Sequence, residues 1–172
     1  MTTPTCFGFD FPAKIWIYER DDETFQAYEA RAPGYGYSCA YFIPEITSRT
    51  MTAYIYDRGR RDIPNGIDND TTRAEFNQST FEAFSNSALY FDVEMTEDGI
   101  CGFDACPKFL YATATFTDID LDEPRASLVA VTAWRGKFIK VRITRTPGDD
   151  AINEMKQAVD GWSEYLWAVG DE

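Results

Sequence analysis

Two groups of side chains in this sequence could recognise a ligand: a set of tyrosines and a short strip of basic residues. The tyrosines stand in two segments of alternating sequence, at Tyr35, Tyr37, Tyr41, Tyr54 and Tyr56. A tyrosine joins a large apolar ring to a hydroxyl group, which suits binding surfaces. On neighbouring strands these rings would line one face of a sheet, or they would cover the sheet beneath a helix.

The basic strip is formed by Lys140, Arg142 and Arg145, late in a chain whose formal net charge is −13. Such a strip could hold an anion or a carboxylate. The favoured interpretation is that these cations neutralise acids on adjacent strands, because cross-strand charge pairs are common. Three arginines of an earlier polar loop would extend the same cationic surface: Arg58, Arg60 and Arg61. The candidate ligand-binding residues are therefore Tyr35, Tyr37, Tyr54, Tyr56, Lys140 and Arg142.

The segment "GYGYSCAY", residues 34–41, has the paired glycines of a phosphate-binding loop. Such a loop needs its glycines between a strand and a helix, so that the helix N–H groups face the phosphate. Here bulky and small residues alternate after Pro33 and Gly34, and neither a helix nor a lysine follows directly. This period of two predicts a strand, in which Gly36 allows a bulge or close packing.

Catalytic chemistry is restricted by the absence of histidine from the sequence. Ser-His-Asp and Cys-His arrangements and histidine metal ligands are excluded. Asp118, Asp120 and Asp122 lack the glycine and the distal glutamate of a calcium loop. Cys101 and Cys106 could form a loop disulfide, although thiols are the favoured interpretation. No pair of carboxylates stands out by its spacing, so we predict no catalytic residue, no metal, no cofactor and no enzyme.

The composition predicts one folded domain over residues 1–172, because 44% of the residues are hydrophobic and 16% are aromatic. The negative charge would repel nucleic acid and anionic membranes, and it would suit a basic protein partner. No segment reaches the roughly 18 apolar residues of a membrane helix, so no membrane insertion is expected. The N-terminal residues lack the pattern of a leader, which predicts a cytoplasmic protein, or a periplasmic one if a leader has been removed.

The elements that would position the candidate side chains are mainly strands. Period-two patterns predict a hairpin formed by strands over residues 35–42 and 50–57, and a later hairpin that turns at residues 135–136. The last strand would place Ile139 and Val141 on one face and Lys140 on the other.

Two helices are predicted between and after these strands. Thr72 and Glu75 match a capping box that would open the first helix, and an apolar stripe predicts the second helix after Gly148. Runs of hairpins with few helices indicate an α+β class, with an antiparallel sheet covered by helices.

The segments "GYGYSCAYF…TMTAYIYDRGRRDIPNG" and "VAVTAWRGKFIKVRITRT", the latter followed by the terminal helix, resemble a group of uncharacterised bacterial proteins. Their arrangement, over residues 7–167, is similar to the Mog1/PsbP-like fold, in which helices on both sides cover an antiparallel sheet in an α/β/α sandwich. The resemblance implies that fold and carries no activity. It also implies an accessory, binding or partner-recognition role, since known members mostly have such roles and some resemble bacterial toxin-immunity proteins. Many members of the group are exported.

Three functions are compatible with the sequence. The first is a non-enzymatic interaction protein that recognises a basic protein partner through its acidic surface. The second is a small-molecule binder that uses the tyrosine face and the basic strip around an anionic or aromatic ligand, which requires a concave pocket beside those residues. The third is a hydrolase, which requires two carboxylates that converge in one cleft.

Overall fold

The computed structural model describes residues 5–6 and 9–170, and their side chains from residue 11 onward. Within these residues the chain forms ten strands and two helices. The strands are β1 (Thr5–Cys6), β2 (Phe9–Asp10), β3 (Lys14–Ile15), β4 (Tyr18–Ala27), β5 (Tyr37–Ile43), β6 (Ile46–Tyr56), β7 (Tyr90–Cys101), β8 (Phe109–Asp118), β9 (Glu123–Trp134) and β10 (Lys137–Arg145). The helices are α1 (Asp70–Phe84) and α2 (Ala151–Gly170).

Eight of the strands form one antiparallel sheet in the order β3-β4-β5-β6-β10-β9-β8-β7, and β1 pairs with β2 separately. The predicted hairpins β5–β6 and β9–β10 are confirmed. β10 joins the two halves of the sheet, because it pairs with β6 on one side and with β9 on the other. A residue on β10 therefore has neighbours from both halves of the chain.

One face of the sheet, here called the inner face, curls around α2. The apolar stripe of α2 packs there, with Trp162 fully buried against Tyr41 at a ring-centroid distance of 5.7 Å. Side chains from all eight strands of the large sheet contribute to the same core. Ile139 and Val141 of β10 are among them and have no exposed surface, as the alternation predicted.

The opposite face, here called the outer face, carries α1. This helix packs mainly against β8 and β9, where Phe84 meets Val129 and Val131 in a smaller core. The predicted capping box is wrong: the N-cap is Asn69, whose side-chain oxygen accepts from the Thr72 N–H at 2.8 Å. Because Asn69 satisfies the first turn, Thr72 and Glu75 lie inside the helix and are buried.

The predicted α/β/α sandwich is also wrong. Strands make up 46% of the structure and helices only 22%, and the sheet has the shape of a half-barrel. The physical reason is width: eight strands spaced about 4.8 Å apart span about 34 Å, whereas a helix is about 10 Å across. One helix on each face cannot cover such a sheet, so the sheet buries its inner face by curling, and β7 stays largely exposed.

Three cysteine side chains lie in the described part of the chain, and all are thiols rather than disulfides. Cys101 is buried, and this burial raises the pKa of its thiol to about 12. Cys101 and Cys106 are both free thiols, so the favoured interpretation is confirmed and the alternative, a loop disulfide, is not formed. The side chain of Cys6 lies outside the described residues.

None of the helices described is long and apolar enough to cross a membrane.

Candidate functional site

The candidate site begins with the pairing of β6 and β10. Lys140 stands directly opposite Tyr54, and Phe138 stands opposite Tyr56. Since side chains alternate along a strand, these four residues share the outer face of the sheet. α1 covers the neighbouring strands β8 and β9, so its edge and the exposed part of β6 and β10 form the two sides of a cleft.

We call this space the tyrosine–lysine cleft, and its volume is about 290 Å³. The residues that line it are Tyr28, Gly34, Tyr35, Tyr54, Tyr56, Arg58, Glu82 and Lys140. Four phenol rings therefore surround one ammonium group, with a guanidinium and a carboxylate nearby. The volume lies near the lower end of the range for small-molecule sites, about 300 to 1,000 Å³.

Lys140 is half-buried in this cleft. Its Nζ lies 4.6 Å from the ring centroid of Tyr54 and 5.5 Å from that of Tyr56, so the ammonium is held by cation–π contacts. No carboxylate forms an ion pair with it among the residues described. Burial lowers the pKa of Lys140 below the usual lysine value, an effect that Glu82 and Glu75 partly oppose.

A buried carboxylate on α1 fixes one wall of the cleft. Glu75 accepts from the Tyr56 hydroxyl at 2.7 Å and from Arg58 Nε and Nη2 at 2.7 and 2.9 Å. Ser79 adds a longer bond to the same carboxylate, at 3.3 Å. Burial and then Glu75 raise the pKa of Tyr56. Arg58 is therefore already neutralised by Glu75, whereas Lys140 has no ion-pair partner among the residues described, although Glu82 also lines the cleft.

Arg142 lies two residues beyond Lys140 on the same face, in an adjoining cavity of about 130 Å³ that the two residues share. Its Nη2 donates to the Tyr90 hydroxyl at 3.0 Å, and its guanidinium lies 5.5 Å from the Tyr90 ring centroid. These partners are neutral. The predicted pairing of the basic strip with acids on adjacent strands is therefore wrong for both Lys140 and Arg142 within the residues described.

Other candidates from the sequence lie elsewhere. Tyr37 is on the inner face, where its ring stacks on Phe25 at a centroid distance of 5.9 Å. Tyr41 is also on the inner face and donates to the Pro12 carbonyl at 2.8 Å. Arg145 points to the inner face and forms an ion pair with Glu154 of α2, so it is not part of the outer basic strip.

Of the three loop arginines, Arg58, Arg60 and Arg61, only one lines the cleft. Arg58 lines the cleft, whereas Arg60 pairs with Asp62 at 3.6 Å and neither Arg60 nor Arg61 is among the lining residues.

Sequence reasoning missed Glu75, Glu82 and Tyr28. Glu75, Ser79 and Glu82 recur at helical spacing, and such a polar stripe beside an apolar one could have been identified as a helix face turned toward a site. The capping-box interpretation of Glu75 hid this signal. Tyr28 follows β4 in a segment whose sequence has no pattern that could place it.

No protein-family model matches this chain, and a comparison with curated proteins finds no significant match to its sequence. The resemblance to the Mog1/PsbP-like group therefore stays a prediction.

Proposed function

We propose that this protein binds a small anionic molecule with a planar, apolar part, and that it does so in the tyrosine–lysine cleft. The observation that carries the proposal is Lys140, a half-buried ammonium that lies over two tyrosine rings. It forms no ion pair among the described residues. The two cations beside it are engaged, Arg58 with Glu75 and Arg142 with Tyr90.

The physical argument starts from solvation. A cation that loses water without gaining an opposite charge is destabilised. A carboxylate or phosphate bound against Lys140 would supply that charge through a charge-assisted hydrogen bond. The rings of Tyr35, Tyr54 and Tyr56 would then contact the planar part of the same molecule. Tyr35 suits this role because 64% of its surface is exposed at the mouth of the cleft.

Binding of benzoate tests this proposal, with acetate as an anion without a ring and benzyl alcohol as a ring without a charge. We expect benzoate to bind more tightly than either, and Lys140→Gln to weaken its binding about tenfold. Isothermal titration calorimetry or an NMR titration measures the dissociation constants.

The matched control for this test is Lys156→Gln. Lys156 also lies over a tyrosine ring, 5.1 Å from the centroid of Tyr111, but it has an acid partner in Glu97 at 3.5 Å. The control should leave benzoate binding unchanged. Equal affinities for the three probes, or equal losses in the two variants, would refute a specific site at Lys140.

The affinity for benzoate should also depend on pH. Benzoate stays ionised above neutral pH, whereas Lys140 loses its proton at a lower pH than an ordinary lysine, because burial lowers its pKa. Only the ammonium form attracts the carboxylate, so the affinity should fall as the pH rises through the lowered pKa. In Lys140→Arg the guanidinium stays charged over this range, and the affinity should stay constant. A wild-type affinity that does not change with pH would contradict the assignment.

The basic protein partner is a separate hypothesis and stays a prediction here. It needs a surface where acidic groups adjoin exposed apolar side chains, and the cleft does not have that composition.

That the protein is not an enzyme also stays a prediction. An assay of the wild-type chain for hydrolysis of benzoate esters tests it.

A further inference from the structure

A second cavity lies beside α2, where the turn between β3 and β4 approaches the helix. We call it the α2 groove; its volume is about 590 Å³, and it shares no lining residue with the tyrosine–lysine cleft. Its walls include the aromatic side chains Trp16 and Phe103, and the carboxylates Asp160 and Glu164 of α2. The groove is therefore acidic and aromatic, whereas the cleft is cationic and aromatic.

The chain presents Trp16 to this groove in an unusual backbone conformation. Trp16 has a φ of 52° in the turn between β3 and β4, a region that a bulky residue rarely adopts. The turn can approach α2 closely because residue 161 is glycine: a Cβ there would lie 3.1 Å from Ile15 Cγ2. Trp16 remains 38% exposed and Phe103 remains 51% exposed. Rare backbone conformations of this kind cluster at binding sites.

The charges of the groove favour a cation. Asp160 and Glu164 lie one helical turn apart on the face of α2 that lines it. Neither forms an ion pair with a cationic side chain in the part of the chain that the structure describes. Lys14 is the cation among the lining residues. The net charge of −13 would attract a basic molecule to this surface from a distance.

We propose that the α2 groove binds an arginine or lysine side chain presented by a basic segment of a partner protein. A guanidinium or ammonium group attracts the face of an aromatic ring and pairs with a carboxylate, and the groove provides both groups together. The long methylene chain of either side chain would pack against Trp16 and Phe103. This interface is independent of the cleft, because it is formed by α2, the β3–β4 turn and the loop between β7 and β8.

An acetylated and amidated Gly-Arg-Gly-Arg-Gly peptide is the probe for this proposal. We expect Trp16→Ala and Glu164→Gln each to weaken its binding about threefold at low salt, as measured by NMR titration of the full chain. Replacement of the arginines in the peptide by citrulline, which is neutral and of the same shape, should abolish binding.

The matched control is Asp120→Asn, which removes one negative charge in the exposed loop between β8 and β9. It should leave the affinity unchanged. Equal weakening by Asp120→Asn and Glu164→Gln would overturn the proposal, since the attraction would then be non-specific. An absence of binding by the wild-type chain would overturn it as well. If Trp16→Ala does not fold, Phe103→Ala takes its place, because Phe103 is an exposed groove residue outside the β3–β4 turn.

Discussion

Replacement of Gly36 by alanine is expected to lower the free energy of unfolding by more than about 3 kcal/mol. Gly36 has a φ of 66°, and a Cβ there would lie 1.9 Å from the Ile55 carbonyl oxygen and 2.7 Å from Tyr56 Cα. Both obstacles are backbone atoms of β6, which cannot move without breaking the pairing of β5 and β6. The substitution would also displace β6 beneath Tyr54 and Tyr56.

Equilibrium unfolding in urea measures this loss, and Gly59→Ala is the matched control. Gly59 has a φ of 76°, but no atom lies within 4 Å of a Cβ built on it. Its substitution should therefore cost only the strain of the left-handed conformation, about 1 to 2 kcal/mol. The difference between the two variants isolates the steric clash. Similar losses in both would show that the close approach of Gly36 to β6 is not a constraint.

The two glycines of "GYGYSCAY", which resemble those of a phosphate-binding loop, have a structural role. The amides of Gly34 and Gly36 do bind an anion, but this anion is the Glu29 carboxylate of the same chain, at 3.0 and 2.8 Å. The alternation predicted a strand from Tyr35, but the strand begins at Tyr37. The positive φ of Gly36 interrupts the alternation, so Tyr35 lines the cleft while Tyr37 faces the inner core. A pattern of period two could not reveal this, because it assumes a continuous strand.

Local patterns predicted the hairpins and the two faces of β10, since alternation depends only on neighbouring residues. They placed Lys140, Tyr54 and Tyr56 on strands that proved to be adjacent. The curl of the sheet was not predictable in this way, because it depends on how much of the sheet the two helices leave uncovered. Glu75 was missed for a related reason: its partner Tyr56 lies 19 residues away, and only the packing of α1 brings them together.

Replacement of Glu75 by alanine is expected to cost about 3 kcal/mol of stability. The Tyr56 hydroxyl would be left buried without its acceptor, and Arg58 would lose the carboxylate that holds it. Because 36% of the Arg58 side chain is exposed, it can turn toward water, which limits the loss. Benzoate binding should weaken too, although Glu75 does not line the cleft. Tyr56 would no longer be held in place, and Arg58, once turned toward water, would not bring its freed charge to the cleft.

Glu82→Ala provides the control on the same helix. Glu82 is 47% exposed and lies 4.0 Å from Arg58, so its loss should change the stability by less than about 0.5 kcal/mol. Because Glu82 lines the cleft, its removal should strengthen benzoate binding by taking away a negative charge. Opposite effects of the two glutamates on binding would mean that Glu75 positions the wall and Glu82 acts only through its charge. If both variants, Glu75→Ala and Glu82→Ala, lose affinity for benzoate, then Glu82 also holds the cleft together, and the position of Lys140 depends on Glu82.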